Sequence, residues 1–460
     1  MSLSSRPTYA SASSPGADTQ SALDPKSSDV EVNSMEALHV SDALNDLDEP
    51  PDGGLHAWMT VAGTWLVSTV GFGIATIWGV LQNGYSSPSS TFHNDSVINL
   101  GFVGGCAMGF AFALGPFSNI LTSHFGVRAP IIVGILLITV AFELASISRR
   151  FWELLLSQGI MFGLGISMSW IPAIALPSQW FKRRRSLASG IASSGTGIGA
   201  VVLSPICQVL IDRASLQWAL RFLGFLALTI GLIGVSLVRQ RGAAKKHVQY
   251  RVFDSAVLKV PGYPMYLCFC FLQFFGFVTP LFFIPSYSLA IGLTATQASG
   301  VLSVTTALNA GGRIVAGFMA DRAGLLNVLI TMHVLTGLMC IFIWLFAKSL
   351  GPMMVFAVFW GFFSGPYWPL SVPTTAKIVG MEKLGSAVAI QFLTNVIPPI
   401  FAVPIGSRII SSTARMYGIG QETGEAYRFL IVYSAVIPVC AAMLLVPVRL
   451  RFSRRLWAKV

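Results

Sequence analysis

Twelve stretches of about 20 apolar residues recur along this chain, each long enough to cross a hydrocarbon layer about 30 Å thick as an α-helix. They lie at residues 57–80, 97–121, 129–148, 151–176, 186–210 and 218–238, and again at 263–289, 296–320, 325–347, 351–374, 384–409 and 428–448. Charged residues make up only 11% of the sequence, against about 25% in ordinary soluble domains. A soluble core cannot absorb so much apolar surface, so the expectation is an all-α membrane protein with twelve transmembrane helices and lipid as its solvent.

The distribution of charge decides what the net charge of +11 means. Residues 1–55 hold ten of the nineteen acids and only Arg6 and Lys26 as bases, which leaves 28 bases and nine acids elsewhere. Those bases sit in short segments between the spans. With both termini in the cytosol the inside loops carry nineteen bases and the outer loops and helix ends eight, the asymmetry expected of cytosolic loops. No basic face with interleaved aromatics offers itself to nucleic acid. The partner of the basic tail 449–460 is the anionic lipid surface, and plasma membrane is favoured over vacuole. Residues 1–55, rich in Ser, Pro and Asp, are expected to form a disordered cytosolic tail without the features of a signal or transit peptide. The sequon at Asn94 falls in the first outer loop as a candidate glycosylation site close to the bilayer.

A constant offset of 198 residues relates the two halves of the chain. Gly126 matches Gly324, Gly163 matches Gly361, Trp170 matches Trp368, and Ser123 and His124 fall on Asp321 and Arg322. This predicts the major facilitator fold: six helices in 56–238, a cytosolic connection over 239–262, and six related helices in 263–448. In such a parallel repeat the substrate binds between the halves near the bilayer midplane.

Ionisable residues inside the spans are costly and therefore candidates for function. Arg313, in the eighth span, has a forked, always charged guanidinium suited to a carboxylate. Its repeat partner is Gly115, so the charge is not part of a shared scaffold. Glu143, in the third span, is a candidate proton site or a partner for Arg149 or Arg150 at the outer interface. Asp321 and Arg322 end the eighth span, where a charge pair would clamp helix ends. Trp360, Tyr367 and Trp368 crowd the tenth span as candidate pocket aromatics. Prolines 172, 177, 366, 369, 398, 399 and 404 predict bends in the fourth, tenth and eleventh spans. The six cysteines and six histidines show no metal-ligand or nucleophile spacing. No metal, cofactor or enzyme activity is therefore assigned.

Two segments carry a resemblance. DGGLHAW, from Asp52 through Gly53 and Gly54 to Trp58, resembles a signature of acidic residue, two glycines, aromatic and a later tryptophan, with Leu55 in the aromatic position. QWFKRRRSLASGIASSGTGIG, from Gln179 to Gly199, is similar to a second signature in which an aromatic pair and a basic run, here Lys182, Arg183 and Arg184, precede spaced small residues. Together they resemble the monocarboxylate porter family of the major facilitator superfamily, in its fungal branch. Without reference to any family, Asp52 is favoured at a helix N-terminus. Gly190, Gly195, Gly197 and Gly199 would admit another backbone closely.

The resemblance implies that Arg313 engages a substrate carboxylate, with Asn309 beside it where the family carries an acid. The first span has no lysine or other ionisable group, a second departure. The expected function is alternating-access transport of a small organic anion or amphipathic metabolite, with export of a fungal secondary metabolite preferred. Proton-linked uptake of a monocarboxylate is the alternative within transport, and a non-transporting nutrient receptor the alternative outside it.

Overall fold

The computed structural model describes residues 52–87, 90–93, 95, 97–241, 255–380 and 383–453. The acidic tail up to residue 51, the sequon residue Asn94, the connecting segment 242–254 and the last basic residues, 454–460, lie outside the described residues.

Among the described residues twelve long helical segments follow one another, the first of them continued after a break at Ile77 by the short helix Trp78–Tyr85. They are α1 (Leu55–Thr76), α2 (the bent pair Val97–Phe110 and Gly115–Phe125), α3 (Arg128–Ile147), α4 (Phe151–Trp180), α5 (Arg185–Arg213) and α6 (Leu216–Leu237), then α7 (Tyr263–Ala290), α8 (Ala295–Ala323), α9 (Leu325–Phe346), α10 (Leu350–Val379), α11 (Leu384–Tyr417) and α12 (Gly424–Phe452). Ten of these are long and apolar enough to cross a membrane, and α2 makes an eleventh across a 42° bend. The remaining one, α8, is 29 residues long and more polar, and it packs most extensively of all on α5. Its polar residues are therefore spent inside the bundle and not on lipid.

The halves meet along two helix pairs, α5 with α8 and α2 with α11, and glycines set how closely they approach. A Cβ on Gly190 would stand 2.6 Å from the Arg313 carbonyl oxygen, and one on Gly197 would stand 2.7 Å from that of Thr306. On the other side a Cβ on Gly105 would stand 2.8 Å from the Pro399 oxygen. Gly195 and Gly199 face α1, at Trp65 and Thr69. The spaced small residues of the second signature thus serve two neighbours at once.

The 198-residue offset reappears in these contacts. A Cβ on Gly163 would meet the Ala107 oxygen at 2.6 Å, and one on Gly361 the Thr305 oxygen at 2.5 Å. Residues 107 and 305 are themselves 198 apart. Gly126 and Gly324, which end the corresponding helices, have φ of 80° and 101°, a region open to glycine at no steric cost.

Not every bend falls where proline predicts it. α10 breaks at Gly365, before Pro366, and α11 at Asn395 and Val396, before Pro398. Pro172 lies within continuous α4, whereas Pro177 opens a separate four-residue turn. Further irregularities were not expected, among them the break at Ile77 inside the span expected over 57–80, the break over 111–114 in α2, and π-helical turns at Thr69–Gly73 in α1 and Leu155–Met161 in α4. At the chain's other end α12 continues to Phe452, so Arg449 is helical and buried and its Nε donates to Asn327 Oδ1 at 2.5 Å.

Candidate functional site

A narrow, partly open cavity of about 30 Å³ lies between the halves. The first half lines it with Phe72, Thr76, Met108, Trp170, Thr196 and Gly197, and the second with Phe277, Leu281, Thr305, Thr306, Asn309, Arg313, Trp360 and Trp368. The π-helical turn in α1 carries Phe72. Toward the α4–α5 loop the cavity is floored by packed aromatic rings. Trp170 meets Trp368 edge-on at 5.9 Å, Phe112 stacks on Trp368 at 5.9 Å, and Phe392 meets Trp170 at 5.4 Å. The repeat-related tryptophans therefore touch each other at the pseudo-symmetry axis.

Arg313 is 4% exposed. Its Nε donates to Asn309 Oδ1 at 2.9 Å, its Nη1 to the Ser193 carbonyl at 2.7 Å across the interface, and its carbon Cζ stands 5.7 Å from the centre of the Trp368 ring. None of the lining residues is acidic. The cation is thus held in shape by neutral acceptors while its charge has no counter-ion in the cavity. Burial of that kind is costly unless a charge comes to pair with it, so an anion entering the cavity finds a fixed, desolvated partner.

The other expected site residues divide. Asn309 lines the cavity, but its amide is committed: Oδ1 to Arg313, Nδ2 to Ser364 Oγ at 3.0 Å and the Gly361 carbonyl at 3.4 Å. It orients the guanidinium. Trp360 and Trp368 both line the cavity, and the Trp360 indole nitrogen is buried with no hydrogen-bond partner among the described residues. Tyr367 is not among the lining residues. Its hydroxyl accepts from Asn395 Nδ2 at 2.7 Å and Gln391 Nε2 at 3.4 Å, behind the aromatic floor. Glu143 lies away from the cavity, with Oε1 buried beside Gly224 and no hydrogen-bond partner among the described residues. The backbone amides of Arg149 and Arg150 are taken by Glu153 instead.

The signature segments meet at one end of the bundle. Asp52 does not cap its own helix as expected. Its Oδ1 accepts the backbone N–H groups of Lys182 at 2.5 Å and Arg183 at 2.6 Å, and the Trp58 ring packs edge-on against Phe181 at 5.1 Å. The reason is that the α4–α5 turn has unpaired amides, whereas Gly54, at φ 96°, turns the chain of residues 52–54 away from α1. Gly53 has open space around it. Lys182, Arg183 and Arg184 are exposed on the surface of that end.

Asp321 and Arg322 do not act as a charge pair. Asp321 accepts from the amides of Ser186 and Leu187 at the start of α5, while the Arg322 guanidinium lies 4.0 Å from the centre of the Phe318 ring. Arg185 sits in the electrostatic reach of both Asp52 and Asp321.

The sequence matches the Major Facilitator Superfamily over residues 60–347 and 292–457. The chain belongs to that superfamily. This Major Facilitator Superfamily transporter is 31% identical over 395 residues to the MFS transporter asaE of Aspergillus flavus, covering 85% of this chain and 86% of that protein. It is 28% identical over 419 residues to the Fujikurins efflux protein of Gibberella fujikuroi, covering 90% and 87%. Among solved structures it resembles the human organic anion transporter MFSD10, with a TM-score of 0.66, 13% identity, and coverage of 86% of this chain and 100% of that one. That last likeness concerns the fold alone.

Reading the sequence residue by residue missed most of the cavity wall of this transporter. Thr305, Thr306, Asn309 and Arg313 share a face of α8 at helical spacing, a polar stripe that was legible. Phe72, Thr76 and Thr196 were not, because their orientation depends on the π-helical turn in α1 and on the α1–α5 contact.

Proposed function

We propose that this transporter exports an amphipathic organic anion, a fungal secondary metabolite, by alternating access between its two halves. The observation that carries the reading is Arg313, a buried guanidinium without a counter-ion among the cavity's lining residues, set between aromatic walls from both halves. The efflux role named for the fujikurin relative supports export, and the mutual contact of the two signature segments supports the fungal monocarboxylate porter branch.

The excess of nineteen bases over eight supports cytosolic termini; the plasma membrane is the preferred location, with the vacuolar membrane as the alternative. The aromatic floor and the Asp321 contact then close the cytosolic side, and the cavity belongs to the outer side of the cycle. Proton-linked uptake is the weaker reading, because no acidic residue lines the cavity to carry the proton.

Counterflow of a labelled aromatic monocarboxylate in proteoliposomes tests this reading. Arg313→Gln is expected to lower flux of the acid at least about tenfold, the loss of one charge-assisted pair. Unchanged flux in that variant would show that the acid does not travel past Arg313.

A further inference from the structure

Resting on the anion reading above, we infer that the substrate is a monoanion with a flat conjugated body that carries hydroxyl or N–H donors along the edge remote from its charge. The first part follows from the charge count of the cavity. Arg313 is the one cation among the lining residues, and no acid accompanies it. A second negative charge on the ligand would be desolvated with nothing to pair it. The flat body follows from the walls, since Phe72, Trp170 and Trp368 form a continuous aromatic surface beside the guanidinium.

The donors follow from the hydroxyls of the wall. A threonine hydroxyl has one hydrogen to give and two lone pairs to receive with. Here the hydrogens are already used within the helices. Thr76 donates to the Phe72 carbonyl at 2.7 Å, Thr305 to that of Val301 at 2.8 Å, and Thr306 to those of Leu302 and Ser303 at 3.1 and 3.0 Å. This back-bonding in helices leaves only the lone pairs for a ligand. The Asn309 amide is committed to Arg313, Ser364 and Gly361, so it adds no donor. Thr196 alone among the cavity hydroxyls has no hydrogen-bond partner among the described residues, and it adapts to either role. Trp360 adds one unpartnered indole N–H to the lining; away from it and from Arg313, the threonine wall favours ligand O–H and N–H groups over ethers, esters and ketones, which would set acceptor against acceptor.

Binding of three flat probes to the purified full-length protein in nanodiscs, followed by calorimetry, tests this. The probes are 6-hydroxy-2-naphthoate, 6-methoxy-2-naphthoate and naphthalene-2,6-dicarboxylate. The hydroxy acid is expected to bind about tenfold tighter than the methoxy acid, the value of one hydrogen bond gained, and the dicarboxylate more weakly than either. At least one of Thr76→Val, Thr305→Val and Thr306→Val should abolish the tenfold gap while methoxy acid binding persists, and the matching Ser variant, which keeps the acceptor, should retain it. Equal binding of the two monocarboxylates, or a gap that survives in all three Val variants, would overturn the donor assignment and leave the anion reading standing. A dicarboxylate that binds as tightly as the hydroxy acid would overturn the monoanion assignment. Failure of all three acids to bind would overturn both readings together.

Discussion

The Asp321 carboxylate of α8 accepts the backbone N–H of Ser186 on α5 at 3.1 Å, with the neighbouring amide of Leu187 at 3.0 Å. An acid from the second half thus caps a helix of the first, at the end where the aromatic floor is closed. Helix N-termini favour negative charge, by up to about 2 kcal/mol where the contact is partly buried. The contact has to break when the halves part at this end. Asp321→Asn keeps the shape and removes the charge. It is expected to raise the population open at this end about fivefold to thirtyfold, the factor equivalent to 1–2 kcal/mol. Spin labels at Arg183→Cys and Lys383→Cys, after replacement of the exposed Cys268 and Cys440, should show a longer distance component. An unchanged distribution would assign Asp321 to folding alone.

Asp52 has φ 53°, the one positive value among non-glycine residues described. Such a conformation costs of order 1–3 kcal/mol and persists when surrounding contacts enforce it. Here the enforcing contacts are the Lys182 and Arg183 amides. Asp52→Ala should speed hydrogen exchange at these two amides about tenfold, and Asp52→Asn less, because asparagine tolerates this region and keeps one acceptor. Equal protection in wild type and Asp52→Ala would contradict the assignment.

What was legible in the sequence was whatever a helix expresses at short range. Span length gave the helices, the 198-residue offset gave the halves, and Arg313 stood out because charge in lipid is expensive. Gly190, Gly195, Gly197 and Gly199 were readable as close-approach positions, but not which of α1 and α8 each would meet. The partners of Asp52 and Asp321 were not legible for a common reason. A carboxylate near a helix end points first to the nearest element in sequence, whereas these two accept from backbone amides 130 and 135 residues away. Tyr367 was grouped with its neighbours Trp360 and Trp368, yet it precedes Trp368 on the same helix, a rotation of about 100°, and its hydroxyl is held behind the floor by Asn395 and Gln391.

That rotation makes Tyr367 a test of which aromatics touch substrate. Its hydroxyl joins Asn395, at the break of α11, to the segment that begins after the break of α10. Asn395 is fully buried and its Oδ1 already has no partner among the described residues. Tyr367→Phe leaves the amide nitrogen unpaired too, a cost of about 1–3 kcal/mol. A lower melting temperature with unchanged affinity for the naphthoate probes is expected. A large loss of affinity without loss of stability would place Tyr367 in the binding site after all.

Adjacent glycines on α8 give the sharpest contrast between backbone packing and open space. A Cβ on Gly312 would fall on the Phe362 carbonyl oxygen, which is backbone and cannot step aside, whereas a Cβ on Gly311 would have nothing within 4 Å. The α8–α10 contact at this point also positions Arg313, since Gly365 packs on its backbone nitrogen and Cγ. Gly312→Ala is therefore expected to destabilise by about 1–3 kcal/mol or more, as overpacking does, and to weaken anion binding. Gly311→Ala should be neutral or stabilising by about 0.5–1 kcal/mol, because alanine loses less backbone entropy in a helix. Melting temperatures in detergent measured side by side separate the two. If the alanines behaved alike, the close approach of α8 to α10 would not be what holds the guanidinium in place.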